Sequence, residues 1–185
     1  MSAAPPRSAE QRAALEHDVR AALRDVHDFP QPGVVFKDVT PVLLDADLSA
    51  RVVAEVVDRH HGEVDLVVGI EARGFILGSV AAHELGVGFV PVRKAGKLPA
   101  DRHTVDYDLE YGSATVEMHI DAVRAGQRVL VYDDVLASGG TAAAAADLVR
   151  RCGGQVAGVD VLIEITALGG RHRLDGIPVR SLVAG

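Results

Sequence analysis

Leu15, Val19, Ala22, Leu23 and Val26 recur at helical spacing, which predicts an amphipathic helix over Ser8–His27 with Ser8 as its N-cap. Two prolines and a glycine in Asp28–Gly33 stop it, and Val34–Asp38 then runs extended with Phe36 turned inward. A second helix is expected over Leu48–His60, capped by Asp47, with Val52, Val53, Val56 and Val57 inward and Gly62 past its end. Beyond it the pattern changes. Val64–Ile70, Val87–Val92, Val129–Tyr132 and Val156–Ile165 are nearly continuous apolar runs, as strands buried on both faces require. Thr115–Ile120 alternates instead, the mark of a strand with one wet face, and Pro178–Val183 is a last short candidate. Helices are expected at Phe75–Leu85, closed by Gly86, and at Thr141–Arg151. The alternation predicts an α/β fold: a mainly parallel central sheet flanked by helices, with Val129–Tyr132 as the central strand. Residues 1–185 are read as a single domain, in which residues 1 to about 45 form a small N-terminal hood over the carboxyl ends of the strands.

Composition narrows the class. A chain of 185 residues, 48% hydrophobic and 24% charged, has enough apolar content for a sizeable core. Its formal charge of −7 argues against a nucleic-acid surface. No uncharged apolar run is long enough to span a membrane. The single cysteine, Cys152, cannot close an internal disulfide, so a cytoplasmic setting is the default and a structural thiol the natural reading. His60-His61 reads as a solvated helix end rather than a metal site, because neighbouring side chains on a helix point apart.

The chemistry concentrates in Val129–Thr141, which runs strand, acid pair, glycine loop, helix. Glycines let the loop Ala137-Ser138-Gly139-Gly140-Thr141 close tightly with its N–H groups inward, and the helix start adds partial positive charge, so the loop is a phosphate cradle. Asp133 and Asp134 repel a phosphate but accept hydrogen bonds from a sugar diol beside it. Phosphate on the loop and ribose hydroxyls on the acids describe a 5-phosphoribosyl group. A Walker loop needs a lysine that is absent here, and Gly139-Gly140 has the wrong spacing for a dinucleotide fingerprint. Arg73, after Val64–Ile70, reads equally as a surface charge or as a cation at the ligand end of the sheet. Arg93, Lys94 and Lys97 open a polar connection running to about Tyr111, read as a lid that meets an anion.

The thirteen-residue stretch resembles the phosphoribosyl-pyrophosphate (PRPP) signature of type I phosphoribosyltransferases. Asp28-Phe29-Pro30 with Pro32–Asp38, Arg73-Gly74-Phe75, Arg93-Lys94 with Gly96–Pro99, and Leu109-Glu110-Tyr111-Gly112 extend the resemblance over nearly the whole chain, toward the adenine phosphoribosyltransferase family. The resemblance implies that fold and transfer of ribose 5-phosphate from PRPP to adenine, giving AMP and pyrophosphate in purine salvage. It implies Mg²⁺ held mainly by substrate oxygens rather than by direct protein ligands, and a homodimer without nucleic-acid or membrane partners. By the same resemblance, Ala137–Thr141 hold the 5′-phosphate and Asp133 and Asp134 the ribose. Arg73, Arg93, Lys94 and Lys97 meet pyrophosphate. Phe36 stacks on adenine beside backbone groups of Val35 and Lys37, Ile165 lines the pocket, and Glu110 is the acid/base at the purine. Ala72 departs from the family's usual serine, next to a peptide that is often cis. Ala95 replaces proline or arginine, which implies a looser lid. The rival readings are a phosphoribosyltransferase for hypoxanthine, guanine or xanthine, and a non-catalytic PRPP-sensing regulator.

Overall fold

The computed structural model describes residues 7–108 and 113–185. They fall into two compact units, the first ending at Arg59 and the second starting at His60.

In the first unit, Ser8 caps α1 (Ala9–Ala22) through a capping box with Gln11, as its sequence predicts. The helix is shorter than expected. Arg24–His27 form strand β1, paired antiparallel with β2 (Val35–Asp38). Val26 keeps the helical spacing, but the ladder to β2 satisfies its backbone instead. A one-turn helix α2 (Thr40–Leu44) leads to α3 (Ala46–His60). The cap of α3 is Asp45, whose carboxylate accepts from Leu48 N at 2.9 Å, and not Asp47, which lies in the first turn. Val52, Val53 and Val56 are buried as expected, while Val57 stays half-exposed. Charge ties α1 to α3: Arg12 reaches buried Glu55 at 3.1 Å, and Arg51 reaches Asp18 at 2.7 Å.

In the second unit, seven strands among the described residues form one sheet in the order β5-β6-β4-β3-β7-β8-β9. They are β3 (Leu66–Ile70), β4 (Gly88–Lys94), β5 (Arg102–Asp108), β6 (Ser113–His119), β7 (Arg128–Leu136), β8 (Gln155–Glu164) and β9 (Val179–Ala184). The run β4-β3-β7-β8-β9 is parallel, with β7 at its middle, and β6 and β5 add an antiparallel edge. Two helices cover it, α4 (Gly74–Leu85) and α5 (Gly140–Arg151). Val129 and Val131 share a core with Ala144, Ala145, Leu148 and Val149 of α5. Tyr132 points the other way, against α4, where Gly78 leaves room for its ring. Burial on both faces is why β7 reads as an unbroken apolar run.

Three expectations change here. The polar stretch before Tyr111 is not one long connection, because Arg102–Asp108 pair with β6 along their length. The strand expected over Val129–Tyr132 continues through the acid pair to Leu136, so the acids belong to the ladder. His60 is not a solvated helix end: it is buried, with Nε2 2.9 Å from Asp160 Oδ2 on β8.

Candidate active site

The carboxyl ends of four parallel strands bring most of the second unit's candidate residues to one edge. At the end of β7, Asp134 is 6% exposed and Asp133 is half-buried. Asp133 Oδ1 accepts from Asp134 N at 2.9 Å. Gly74 is why this fits. A Cβ at Gly74 would stand 2.8 Å from the Tyr132 carbonyl and 3.0 Å from Asp133 Oδ1, so its absence lets the N-terminus of α4 close onto the acid. Arg73 comes with it, its Nε 2.6 Å from Asp134 Oδ2, in charge contact without hydrogen-bond alignment.

Burial, then the charge of Asp134, pushes the Asp133 carboxyl well above the ordinary range. Burial also raises Asp134, with Arg73 opposing. Burial and mutual charge thus disfavour the ionised form of both neighbouring acids, which calls for further hydrogen-bond donors. Hydroxyl donors arriving from a diol would relieve that.

The strand runs straight into Ala137-Ser138-Gly139-Gly140-Thr141. Gly139, at φ +82°, is the N-cap of α5 and has no side chain to offer the helix start. The twelve-residue helix therefore starts without a side-chain cap on its first N–H groups, the condition for a helix-start anion site. Ser138 and Thr141 are half-buried on this loop. Ile165 follows β8 and is tied to the same corner, its N–H donating to the Leu136 carbonyl at 2.9 Å.

The basic group lies along the adjoining strand end. Arg93 and Lys94 close β4 rather than opening a loop. Glu71 Oε2 meets Arg93 Nε at 3.2 Å and accepts from Lys94 N at 3.0 Å. The Glu71–Ala72 peptide is cis. Lys97 lies in a turn around Gly96 that is fastened from β6. Glu117, 1% exposed, accepts from the backbone of Gly96, Lys97 and Leu98 at 3.0, 2.7 and 2.7 Å, and Arg102 Nε lies 2.9 Å away. Burial works to raise Glu117, but these backbone donors and Arg102 outweigh it and hold the carboxyl low. Ala95 N donates to the Thr115 carbonyl at 3.1 Å. Sequence reasoning missed Gly74, Glu71 and Glu117 as site builders.

In the first unit, Phe36 meets Phe29 edge-on at 5.1 Å, and Lys37 Nζ pairs with Asp25 at 2.7 Å, beside exposed Val35. Glu110, with the rest of Leu109–Gly112, lies outside the described residues.

Residues 42–180 match the phosphoribosyl transferase domain family. The chain is 55% identical over 166 residues to the adenine phosphoribosyltransferase of Acidothermus cellulolyticus, covering 89% of this chain and 94% of that one. It is similar to the crystal structure of adenine phosphoribosyltransferase from Rhodothermus marinus, with a TM-score of 0.89 and 49% identity over 94% of this chain and 99% of the other. The Saccharomyces cerevisiae enzyme, crystallised with an imino-altritol bisphosphate and adenine, aligns with a TM-score of 0.86 and 37% identity, over 92% of this chain and 99% of that one.

Proposed function

This chain belongs to the adenine phosphoribosyltransferases, and from that premise we propose how its own residues carry ribose 5-phosphate from PRPP to adenine, giving AMP and pyrophosphate. The observation that carries the reading is the buried acid pair running directly into a glycine-capped helix start. Ala137–Thr141 take the 5′-phosphate on backbone N–H groups and the hydroxyls of Ser138 and Thr141. Asp133 and Asp134 accept the ribose hydroxyls.

Departure of pyrophosphate leaves an oxocarbenium-like sugar, the transition-state character of glycosyl transfer. Arg73, Arg93, Lys94 and Lys97 stabilise the charge that grows on the leaving group. Arg73 and Arg93 reach it by exchanging Asp134 and Glu71 for pyrophosphate oxygens. Phe36 stacks on the base, backbone groups of Val35 and Lys37 meet its edge, and Ile165 is an apolar wall. Glu110 handles the purine ring proton.

Mg²⁺ would be held mainly by diphosphate and ribose oxygens of the substrate, with Asp133 and Asp134 beside it holding the ribose rather than serving as direct ligands. When bound, the ion neutralises charge on the diphosphate. A homodimer belongs to the same reading, supported by exposed Ile76 and Val80 one turn apart on α4. No described helix is long and apolar enough to cross a membrane, and the cytoplasm is proposed from the lone cysteine.

The test is AMP formation from adenine, PRPP and Mg²⁺, with pyrophosphate release followed in parallel and hypoxanthine as the competing base. Equal turnover of the two bases would refute adenine specificity. Near-normal adenine turnover in Glu110→Gln would remove that residue from the mechanism.

A further inference from the structure

The phosphate loop does not hold its shape alone. A Cβ on Gly139 would land on the carbonyl of Gly170, and a Cβ on Gly170 would land on the carbonyl oxygen of Ala137. The same Gly170 Cβ would stand 3.0 Å from Gly139 N. Two turns distant in sequence are therefore interlocked through bare backbone. Gly170 opens a short 3₁₀ turn, Gly170–Leu174, after Gly169 at φ +62°. Leu174 anchors the far end of that turn in the core.

The next residue, Arg171, fastens the turn. Its Nε and one terminal nitrogen donate to the two oxygens of Glu164 at 2.6 Å each, and its other terminal nitrogen donates to the Val179 carbonyl at 2.8 Å. Ser181 Oγ donates to Glu164 Oε2 at 3.0 Å. Glu164, the last residue of β8, is 5% exposed. The guanidinium thus spans the ends of β8 and β9 in a bidentate fork, the ion pair with the tightest angular demands.

We propose that Arg171 is a positioning residue for the 5′-phosphate. It touches no substrate. By locking the Gly169–Gly170 turn onto Glu164, it sets the backbone of Ala137–Gly139 and so aims the N–H groups that the phosphate meets. This rests on the phosphate-loop assignment above. Hydrogen bonds weaken steeply with misalignment, so a small shift of Gly170 is felt at the phosphate before it is felt at the base or the ribose.

The experiment compares the affinity of AMP with that of adenosine, because the ratio isolates the share of the phosphate. In the wild type AMP is expected to bind more tightly. In Arg171→Gln and Gly170→Ala the ratio should fall by about tenfold or more, the loss of a charge-assisted hydrogen bond, with adenosine affinity within about threefold of wild type. Arg171→Lys, which keeps the cation without the fork, should recover part of the ratio. It decides the matter alone if the other two do not fold. A ratio within about twofold of wild type in the folded variants, whatever happens to their melting temperature, overturns the proposal. A wild type that binds AMP no better than adenosine instead refutes the phosphate-loop assignment and takes this proposal with it.

Discussion

Two corners of the site use carboxylates in opposite ways. At the end of β7, Asp133 and Asp134 are both pushed above the ordinary carboxylate range. At the end of β4, half-buried Glu71 and fully buried Glu117 are both held below it. Burial opposes ionisation in all four. The difference is the donors aimed at each group: three backbone N–H groups and a guanidinium surround Glu117, whereas Asp133 accepts from the Asp134 backbone and Asp134 has Arg73 in charge contact. In the reading proposed above, hydroxyls of a diol would supply the donors that the β7 corner is short of, whereas at the β4 corner Arg93 would exchange Glu71 for an anion.

The sharpest way to break this contrast is Asp133→Asn. Transfer activity should drop by about 10²–10³-fold, while the protein without substrate melts a few degrees higher because a buried carboxyl that is kept from ionising is gone. A fall in melting temperature alongside activity would mean the pair is not a burden.

Next in size is Glu117→Gln, which strips a fully buried carboxylate from its donors. The variant should lose about 2–4 kcal/mol of stability in denaturant unfolding. Pyrophosphate KM in the reverse reaction should rise about tenfold. An unchanged midpoint would show that the Gly96–Leu98 turn holds itself.

The pH dependence of melting separates the corners by sign. Glu71 and Glu117 have lowered values, so their contribution is present above the unfolded Glu value of about 4.3 and is lost as pH falls through their folded values. Asp133 and Asp134 are raised, so theirs is present below the unfolded Asp value of about 3.9 and is lost as pH rises through their folded values. Glu117→Gln should flatten the loss of melting temperature toward acid pH, and Asp133→Asn the loss as pH rises above the unfolded Asp value. Matching profiles for the two variants would refute the contrast.

The smallest effect should come from a residue outside both corners. Burial, with Asp121 nearby, raises the Cys152 thiol, whose Sγ lies 3.7 Å from the His119 carbonyl. Cys152→Ser should change activity by less than about twofold, and the native thiol should label slowly. Rapid labelling would contradict this.

What the sequence revealed divides along similar lines. β3, β7 and β8 were legible because burial on both faces leaves no polar alternation. The phosphate loop was legible because its residues are contiguous. β5 was missed although Val105 and Tyr107 alternate with Thr104 and Asp106, since its polar majority mimics a loop. α1 was overextended because Val26 keeps helical spacing in a segment that a partner strand claims. Glu71, Glu117 and Arg171 were missed for another reason. Each is an ordinary charged residue whose value lies in partners far along the chain or in strands not yet assembled, such as Glu117 with Gly96–Leu98. Asp45 and His60 are milder cases, a cap two residues early and a helix end turned inward.

The facing glycines at 139 and 170 constrain any lineage or mutant library built on this scaffold. A side chain at either position meets backbone, and the opposite residue is already the smallest available, so no compensating mutation can make space. Randomising both positions together should return glycine at both among active clones, and a functional pair of any other composition would show that the two turns can drift apart.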